Sequence, residues 1–428
     1  MLIEFRVANH LSFLQPMSLA LVASRDASLP ANTLDPGGDL PRLLRAAAVY
    51  GANASGKTNL VRSLGLVRQL VLASATEGRP DSPIAVSPFR LDPVAQASPS
   101  TFEITFVIDG ERWQYGFEAV AAAIREEWLH HFPGQRRRTL FTRSAARSPE
   151  YRWGESWTGD RAVLAQRTRP NALFLSVAAQ FNHEIASRLF RWFDRQLNVH
   201  LPGSPPLLFE AETRDLCQAR PDMRENVVAL LRHADVGITG IQVVMRPLGD
   251  YYVFQMMPPG MRQQLPCIDN GEAQYPVFRT LRTGHDAEGR DIQVEFSLEE
   301  ESAGTRRFFA LAAPLLKALE DGACLVADEL DGRLHPLLTR RIVELFDDPR
   351  TNPKGAQLVF TTHDVNLLDQ RSLLRRDQVW FTSRAGGGGT ELYSLWDFKA
   401  PRKEANLRKD YLLGRYGAVP FIERLLEG

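Results

Sequence analysis

The chain has 428 residues, more than one hydrophobic core serves, and its 44% hydrophobic and 24% charged content fits two or three globular units rather than a disordered chain. Its 51 Lys and Arg balance 51 Asp and Glu, which excludes a global positive field drawing it onto nucleic acid. No apolar run approaches the roughly 20 residues that span a bilayer, so no membrane partner is expected.

Met1-Leu2-Ile3-Glu4-Phe5-Arg6-Val7 alternates like a strand and lacks the basic, apolar, then small-residue order of a signal peptide, which predicts a cytoplasmic protein. A second strand is expected over Met17–Val22, after a polar turn around Asn9 to Gln15. Ala46-Ala47-Ala48-Val49-Tyr50 reads as a short strand free of charge. It runs into Gly51-Ala-Asn-Ala-Ser-Gly-Lys-Thr58, and Leu60, Val61, Leu64, Val67 and Leu70 then recur at helical spacing. Phe102, Ile104, Phe106 and Ile108 alternate into Asp109-Gly110, and Trp113, Tyr115 and Phe117 alternate back, the signature of a two-residue hairpin. Helices are expected from about 171 to 197 and near 225 to 233, with a Pro-rich stretch at 201–206 between them. The final third returns to short apolar strands at Cys324–Ala327, Leu358–Phe360, and Val379–Phe381 paired with Leu392-Tyr393 across Gly386–Gly389. Strands alternating with helices predict a mostly parallel sheet covered on both faces.

The segment Gly51–Thr58 is a complete GxxxxGK[ST] phosphate-binding loop, flanked by strand and helix as that loop requires. Its glycines let backbone N–H groups converge on phosphate oxygens, Lys57 would reach the β- and γ-phosphates, and Thr58 would place its hydroxyl on Mg²⁺. Such a loop needs an acidic strand end as metal partner. Cys324-Leu325-Val326-Ala327-Asp328-Glu329 has that form, with Asp328 as metal ligand and Glu329 as the base that polarises water. His363, after the next apolar strand, is placed either to contact the γ-phosphate or to cap or pack. Ser302-Ala303-Gly304 opens a helix and offers either a second anion surface or a simple cap. Asp331 can signal between sites or cap a helix. Cys217, Cys267 and Cys324 lack metal-ligand spacing and read as packing residues. Local basic clusters at Arg136–Arg138, Arg375-Arg376 and Arg402 to Lys409 leave DNA binding open.

Taken together, phosphate loop, Ser302-Ala303-Gly304, Asp328-Glu329, Leu330-Asp331 and His363 resemble the ABC-type ATPases of SMC, RecF and OLD proteins. Asp328–Pro336, Phe360–Asp364, Arg376–Phe381 and the closing Gly414–Phe421 are similar to the AAA-15/AAA-21 ATPases of bacterial anti-phage systems, the RloA and AbiLi group. The signature departs from the usual pattern, with Glu301 for its leading Leu and Ala303 for its second Gly. The resemblance implies an α/β P-loop NTPase of the ABC-ATPase type with a mixed or parallel sheet core and an inserted, mostly helical subdomain. Residues 1–120 would form the N-terminal part of the ATPase domain, 121–290 the insertion, and 291–428 the C-terminal part.

It also implies ATP and Mg²⁺ as cofactors. The nucleotide would be held by Gly51, Asn53, Ser55, Gly56, Lys57, Thr58 and Asn59, with Ser302, Gly304 and Asp331 acting across a head-to-tail homodimer that sandwiches two ATP molecules. Thr58 and Asp328 would hold the metal, and Glu329 and His363 would serve hydrolysis. The expected role is regulation of a separately encoded toxic effector, such as a nuclease, in response to a phage-encoded trigger, because no acidic nuclease module is recognisable in this chain. A RecF-like DNA-repair ATPase is the alternative. The absence of a long heptad run argues against an SMC-like arm.

Overall fold

The computed structural model describes residues 1–200, 206–247, 274–369, 372–398 and 406–420; residues 201–205, Cys267, Arg402, Lys403 and Phe421 lie outside these. The chain divides into two compact units: Met1–Pro202 with Lys317–Gly332 and Pro336–Gly428, and Gly203–Leu316 with Arg333–His335.

The first unit holds two large sheets. One is antiparallel, with strand order β10-β9-β8-β7-β6-β1-β2. Its strands are β1 (Leu2–Ala8), β2 (Met17–Ala20), β6 (Ser100–Ile108), β7 (Glu111–Val120), β8 (Ala123–Phe132), β9 (Arg138–Ser144) and β10 (Tyr151–Trp153). The β6–β7 hairpin turns at Asp109 and Gly110, whose φ values of 50° and 77° are those of a type I′ turn, so the dipeptide does what its chemistry favours. Phe102, Phe106, Tyr115 and Phe117 point from this hairpin into the core with no exposure. A separate short ribbon pairs β3 (Thr33–Leu34) with β4 (Leu43–Leu44) antiparallel.

The other sheet is mixed, in the order β11-β15-β16-β5-β17-β18. It comprises β5 (Ala46–Gly51), β11 (Leu197–His200), β15 (Cys324–Ala327), β16 (Gln357–Thr361), β17 (Val379–Arg384) and β18 (Thr390–Ser394). All neighbours are parallel except β17 and β18, which pair antiparallel at one edge. β5, β15 and β16 are buried along their whole length, as central parallel strands must be when both faces are covered. The helices of this unit are α1 (Lys57–Ala73), α2 (Pro93–Gln96), α3 (Arg161–Arg167), α4 (Phe174–Gln180) and α5 (Glu184–Arg195), and later α9 (Pro336–Asp347) and α10 (Leu407–Leu412). A single apolar core joins the two sheets, containing Val49, Val326 and Val359 from one and Phe106, Tyr115 and Phe141 from the other.

The second unit contains α6 (Pro206–Ala219), α7 (Pro221–His233) and a three-stranded antiparallel sheet of β12 (Gly240–Pro247), β13 (Gln274–His285) and β14 (Asp291–Ser297). The helix Ala303–Asp321, α8, begins here. On α7, Met223, Val227 and Leu231 are buried four residues apart, the helical stripe the periodicity predicts.

The expected insertion over 121–290 is drawn differently by the structure. Residues 121–200 belong to the first unit, because β8 pairs with β7 over its whole length and β11 adds to the mixed sheet beside β15. The second unit starts at 203 and carries a sheet beside its helices. Two features hide β8 in the sequence: charged residues crowd it, and one of its core positions is a carboxylate, Glu127, with no exposure.

Candidate functional site

Parallel strands align their carboxyl ends, and that edge of the mixed sheet gathers the motifs. Val49 of β5 stands opposite Thr361 of β16, and Ala327 of β15 opposite Phe360. The phosphate loop, the Asp328-Glu329 pair and His363 therefore leave three adjacent strands at one level, where ligands bind in open α/β sheets. A cavity of about 300 Å³ opens there, lined by Asn53, Ala54, Gly56, Lys57, Thr58, Asn59, Glu329 and His363.

The loop's conformation follows from its residues. Ala54 has φ 58° and Gly56 φ 112°, and Gly56 stands where the first turn of α1 begins, so successive N–H groups can form an anion-binding concavity. Gly51 is needed for another reason, since a Cβ there would sit 2.5 Å from Ser55 Oγ and as close to Thr382. The β17–β18 hairpin braces the loop from the side. Thr382 and Ser55 share a hydroxyl hydrogen bond of 2.6 Å, the Thr390 hydroxyl donates to Ser55 O at 2.8 Å, and Arg384 Nε donates to Ala54 O at 3.1 Å. Asn59 Nδ2 donates to Ser12 Oγ at 2.8 Å, tying α1 to the turn after β1.

Lys57 is 6% exposed and its ammonium donates to Gly51 O at 2.8 Å and Ala52 O at 3.0 Å. Burial lowers its pKa, and the carboxylates of Asp328, Glu329 and Asp331 oppose that shift. His363 is also held below its ordinary value, first by desolvation and then by the Lys57 charge, so its imidazole is neutral near pH 7. Asp328, 1% exposed, is fixed by Thr361, whose hydroxyl donates to Asp328 Oδ1 and accepts from the Glu329 N–H at 2.7 Å. Within the chain Asp331 Oδ2 accepts the backbone N–H of His363 at 3.1 Å, which ties the turn after Glu329 to that histidine.

Hard oxygen donors suit Mg²⁺, which arrives with phosphates and keeps waters, so one or two protein oxygens suffice. Thr58 and Asp328 would supply that number, and the described residues contain no group of three or more His, Cys, Asp or Glu that could hold a metal ion.

Every residue lining the cavity belongs to the first unit, whereas Ser302 and Gly304 belong to the second. There Ser302 Oγ accepts the Thr305 N–H at 3.1 Å and bonds its hydroxyl at 2.9 Å, capping α8. A Cβ on Gly304 would lie 2.8 Å from Arg333 O, which explains the glycine. Glu301, where a leucine is usual, is 8% exposed and accepts Thr280 Oγ1 at 2.6 Å and Arg282 Nη2 at 2.5 Å, anchoring the signature turn to β13. Residues the sequence did not single out are Ser12, Thr361, Thr382, Arg384 and Thr390. Their signal was slight: Ser12 is one polar residue of a turn, and the others are a hydroxyl or guanidinium within a strand.

Strand order and site define an α/β fold of the P-loop NTPase class. A family model, AAA_21 (AAA domain, putative AbiEii toxin, Type IV TA system), matches residues 46–369, and the chain belongs to that family. No match is found among curated proteins. Similar solved structures include an SMC head bound to the C-winged helix domain of ScpA, at 12% identity over 92% of this chain and 97% of that one, TM-score 0.39. The SMC head domain from Thermotoga maritima matches at 12% identity over 92% and 98%, TM-score 0.39. An Smc head with an extended coiled coil, bound to the C-terminal domain of ScpA derived from Pyrococcus furiosus, matches at 13% over 97% and 99%, TM-score 0.38. Among the described residues no helix is long and apolar enough to cross a membrane.

Proposed function

We propose that this chain binds and hydrolyses ATP with Mg²⁺, and that two copies sandwich two nucleotides head to tail. One observation carries the reading: a single cavity brings the phosphate loop, Lys57, Thr58, Glu329 and His363 together. The loop N–H groups and Lys57 hold the phosphates; Thr58 and Asp328 would hold the metal, which when bound would supply neutralisation of phosphate charge. Glu329 takes the proton of the attacking water. Neutral His363, set by Asp331, offers one hydrogen bond toward the γ-phosphate. Ser302 and Gly304 of one copy close the nucleotide site of the other, so ATP binding and loss shut and open the dimer.

In the cell this motor acts as a sensor and regulator in bacterial anti-phage defence, restraining or releasing a separately encoded toxic effector when a phage-encoded trigger appears. What supports a place in a toxin–antitoxin setting is the family description, AAA domain, putative AbiEii toxin, Type IV TA system; the separate effector and the phage trigger are part of the proposal.

The test uses two variants of the full chain. Glu329→Gln binds ATP in calorimetry and loses turnover by about 10²- to 10⁴-fold, whereas Lys57→Ala loses nucleotide binding itself. Wild-type turnover by Glu329→Gln would remove the assigned base, and wild-type affinity in Lys57→Ala would remove the site.

A further inference from the structure

The turn that carries Asp328 and Glu329 is held by one residue of the neighbouring strand. Thr361, the last residue of β16, is fully buried. Its hydroxyl donates to Asp328 Oδ1 and accepts the Glu329 N–H at 2.7 Å, and its carbonyl accepts the Leu330 N–H at 3.0 Å. Three consecutive residues of the acidic turn are thus bonded to a single threonine. The middle one needs it: Glu329 has φ 48°, a left-handed backbone that a glutamate does not adopt unaided. That conformation takes Glu329 out of the line of β15 and into the lining of the cavity. The same hydroxyl uses one lone pair of Asp328 Oδ1, which fixes the rotation of the carboxylate and so the direction of its remaining lone pairs.

We propose that Thr361 is a positioning residue for both halves of the hydrolytic apparatus, locking the metal-binding carboxylate and the general base into one register through a single hydroxyl. The inference rests on the ATPase reading above and deepens it. Without the hydroxyl the bonds from the Glu329 N–H and to Asp328 Oδ1 are lost, the turn relaxes toward an ordinary backbone, and base and metal ligand move independently. The phosphate loop itself is bonded elsewhere, to β17 and β18, so nucleotide affinity without metal is insulated from the change.

Thr361→Val removes the hydroxyl at nearly constant volume, and Thr361→Ser retains it. Both are compared with wild type and Glu329→Gln in the full chain, by fluorescence of a methylanthraniloyl ATP analogue in EDTA and in a Mg²⁺ titration, and by steady-state hydrolysis across Mg²⁺ concentrations. The valine variant is expected to bind the analogue in EDTA within about 2-fold of wild type, to need about 10-fold more Mg²⁺ for half-maximal tightening, and to lose about 10- to 100-fold in kcat; serine restores both within about 3-fold. The proposal is overturned if valine keeps wild-type kcat and Mg²⁺ response. It is equally overturned if serine is as impaired as valine, since the methyl group would then be what matters, or if valine loses binding in EDTA. Should the wild type not hydrolyse ATP, or Glu329→Gln turn over normally, the catalytic reading fails, and the Mg²⁺ titration of analogue binding alone decides whether Thr361 holds the metal ligand.

Discussion

A carboxylate shut away from water is driven to stay protonated, and Asp347, 7% exposed at the end of α9, is such a group. Asn32 Nδ2 donates to its Oδ2 at 3.1 Å and Gln378 Nε2 approaches Oδ1 at 3.4 Å, yet burial outweighs these bonds and the charge of Arg45, and its pKa is pushed up to about 8. A helix C-terminus also disfavours negative charge. Because the folded pKa lies above the unfolded value of 3.8, the folded state holds a proton that the unfolded chain releases between those limits. The stability this contributes is complete below about pH 4 and is lost as pH rises through 8. Asp347→Asn removes the proton dependence while keeping the shape. Urea midpoints at pH 6 and pH 9 should show the variant gaining on the wild type as pH rises, by an amount on the order of a few kcal/mol; parallel curves for the two proteins would mean that Asp347 is ionised in the fold. Residues of this kind are not legible in sequence, where an aspartate at a helix end looks like a solvated one. Gly51, Gly56 and Lys57 were legible because their chemistry has few substitutes. Thr361, Thr382 and Thr390 were not, since a threonine in a strand also reads as an ordinary β-former.

At the level of elements, periodicity succeeded where each strand kept one face apolar. The β6–β7 hairpin and the buried strands β5, β15 and β16 all appeared as expected, and so did the His363 strand end. Where a core position is polar the pattern broke, and β8 is the case. Glu127 sits at an inward position of β8 with no exposure and is fully engaged: it accepts Tyr115 OH at 2.9 Å and the N–H groups of Phe174 and Leu175 at 2.7 and 2.9 Å, with Arg143 Nη1 at 3.9 Å. Those two N–H groups belong to the first turn of α4, so the carboxylate caps that helix from across the sheet and ties α4 to β8. Burial raises its pKa while these partners oppose the rise. Glu127→Leu restores the apolar period but removes the acceptor of two amides and of the Tyr115 hydroxyl, while Arg143 keeps Glu150 and the carbonyl of Ala172, and should destabilise the chain by about 3–5 kcal/mol. Glu127→Gln, which still accepts through one oxygen, should cost less. Denaturant midpoints of the two variants measure the difference; a leucine variant as stable as wild type would show the carboxylate to be dispensable.

For the whole molecule, the decisive feature is that the phosphate loop and the signature turn belong to different compact units. If each signature serves a neighbour's nucleotide, the two halves of the apparatus should be separable by mutation and restorable by mixing. Ser302→Asp is suited to the test, because aspartate caps a helix as well as serine does, so α8 keeps its N-terminal bond in place of the present one to Thr305. The added charge meets a triphosphate only if one approaches that turn. Ser302→Asp should therefore melt like wild type and bind ATP as a monomer like wild type, yet lose ATP-dependent dimerisation in light scattering and fall at least about 10-fold in turnover. Lys57→Ala is inactive for the opposite reason, since its own loop is broken while its signature is intact. Mixing the two inactive proteins forms heterodimers in which the intact loop of one faces the intact signature of the other, giving one complete site per pair. Hydrolysis should reappear on mixing and depend on total protein concentration. Silence of the mixture at concentrations where the wild type dimerises would place both halves of each site within one chain.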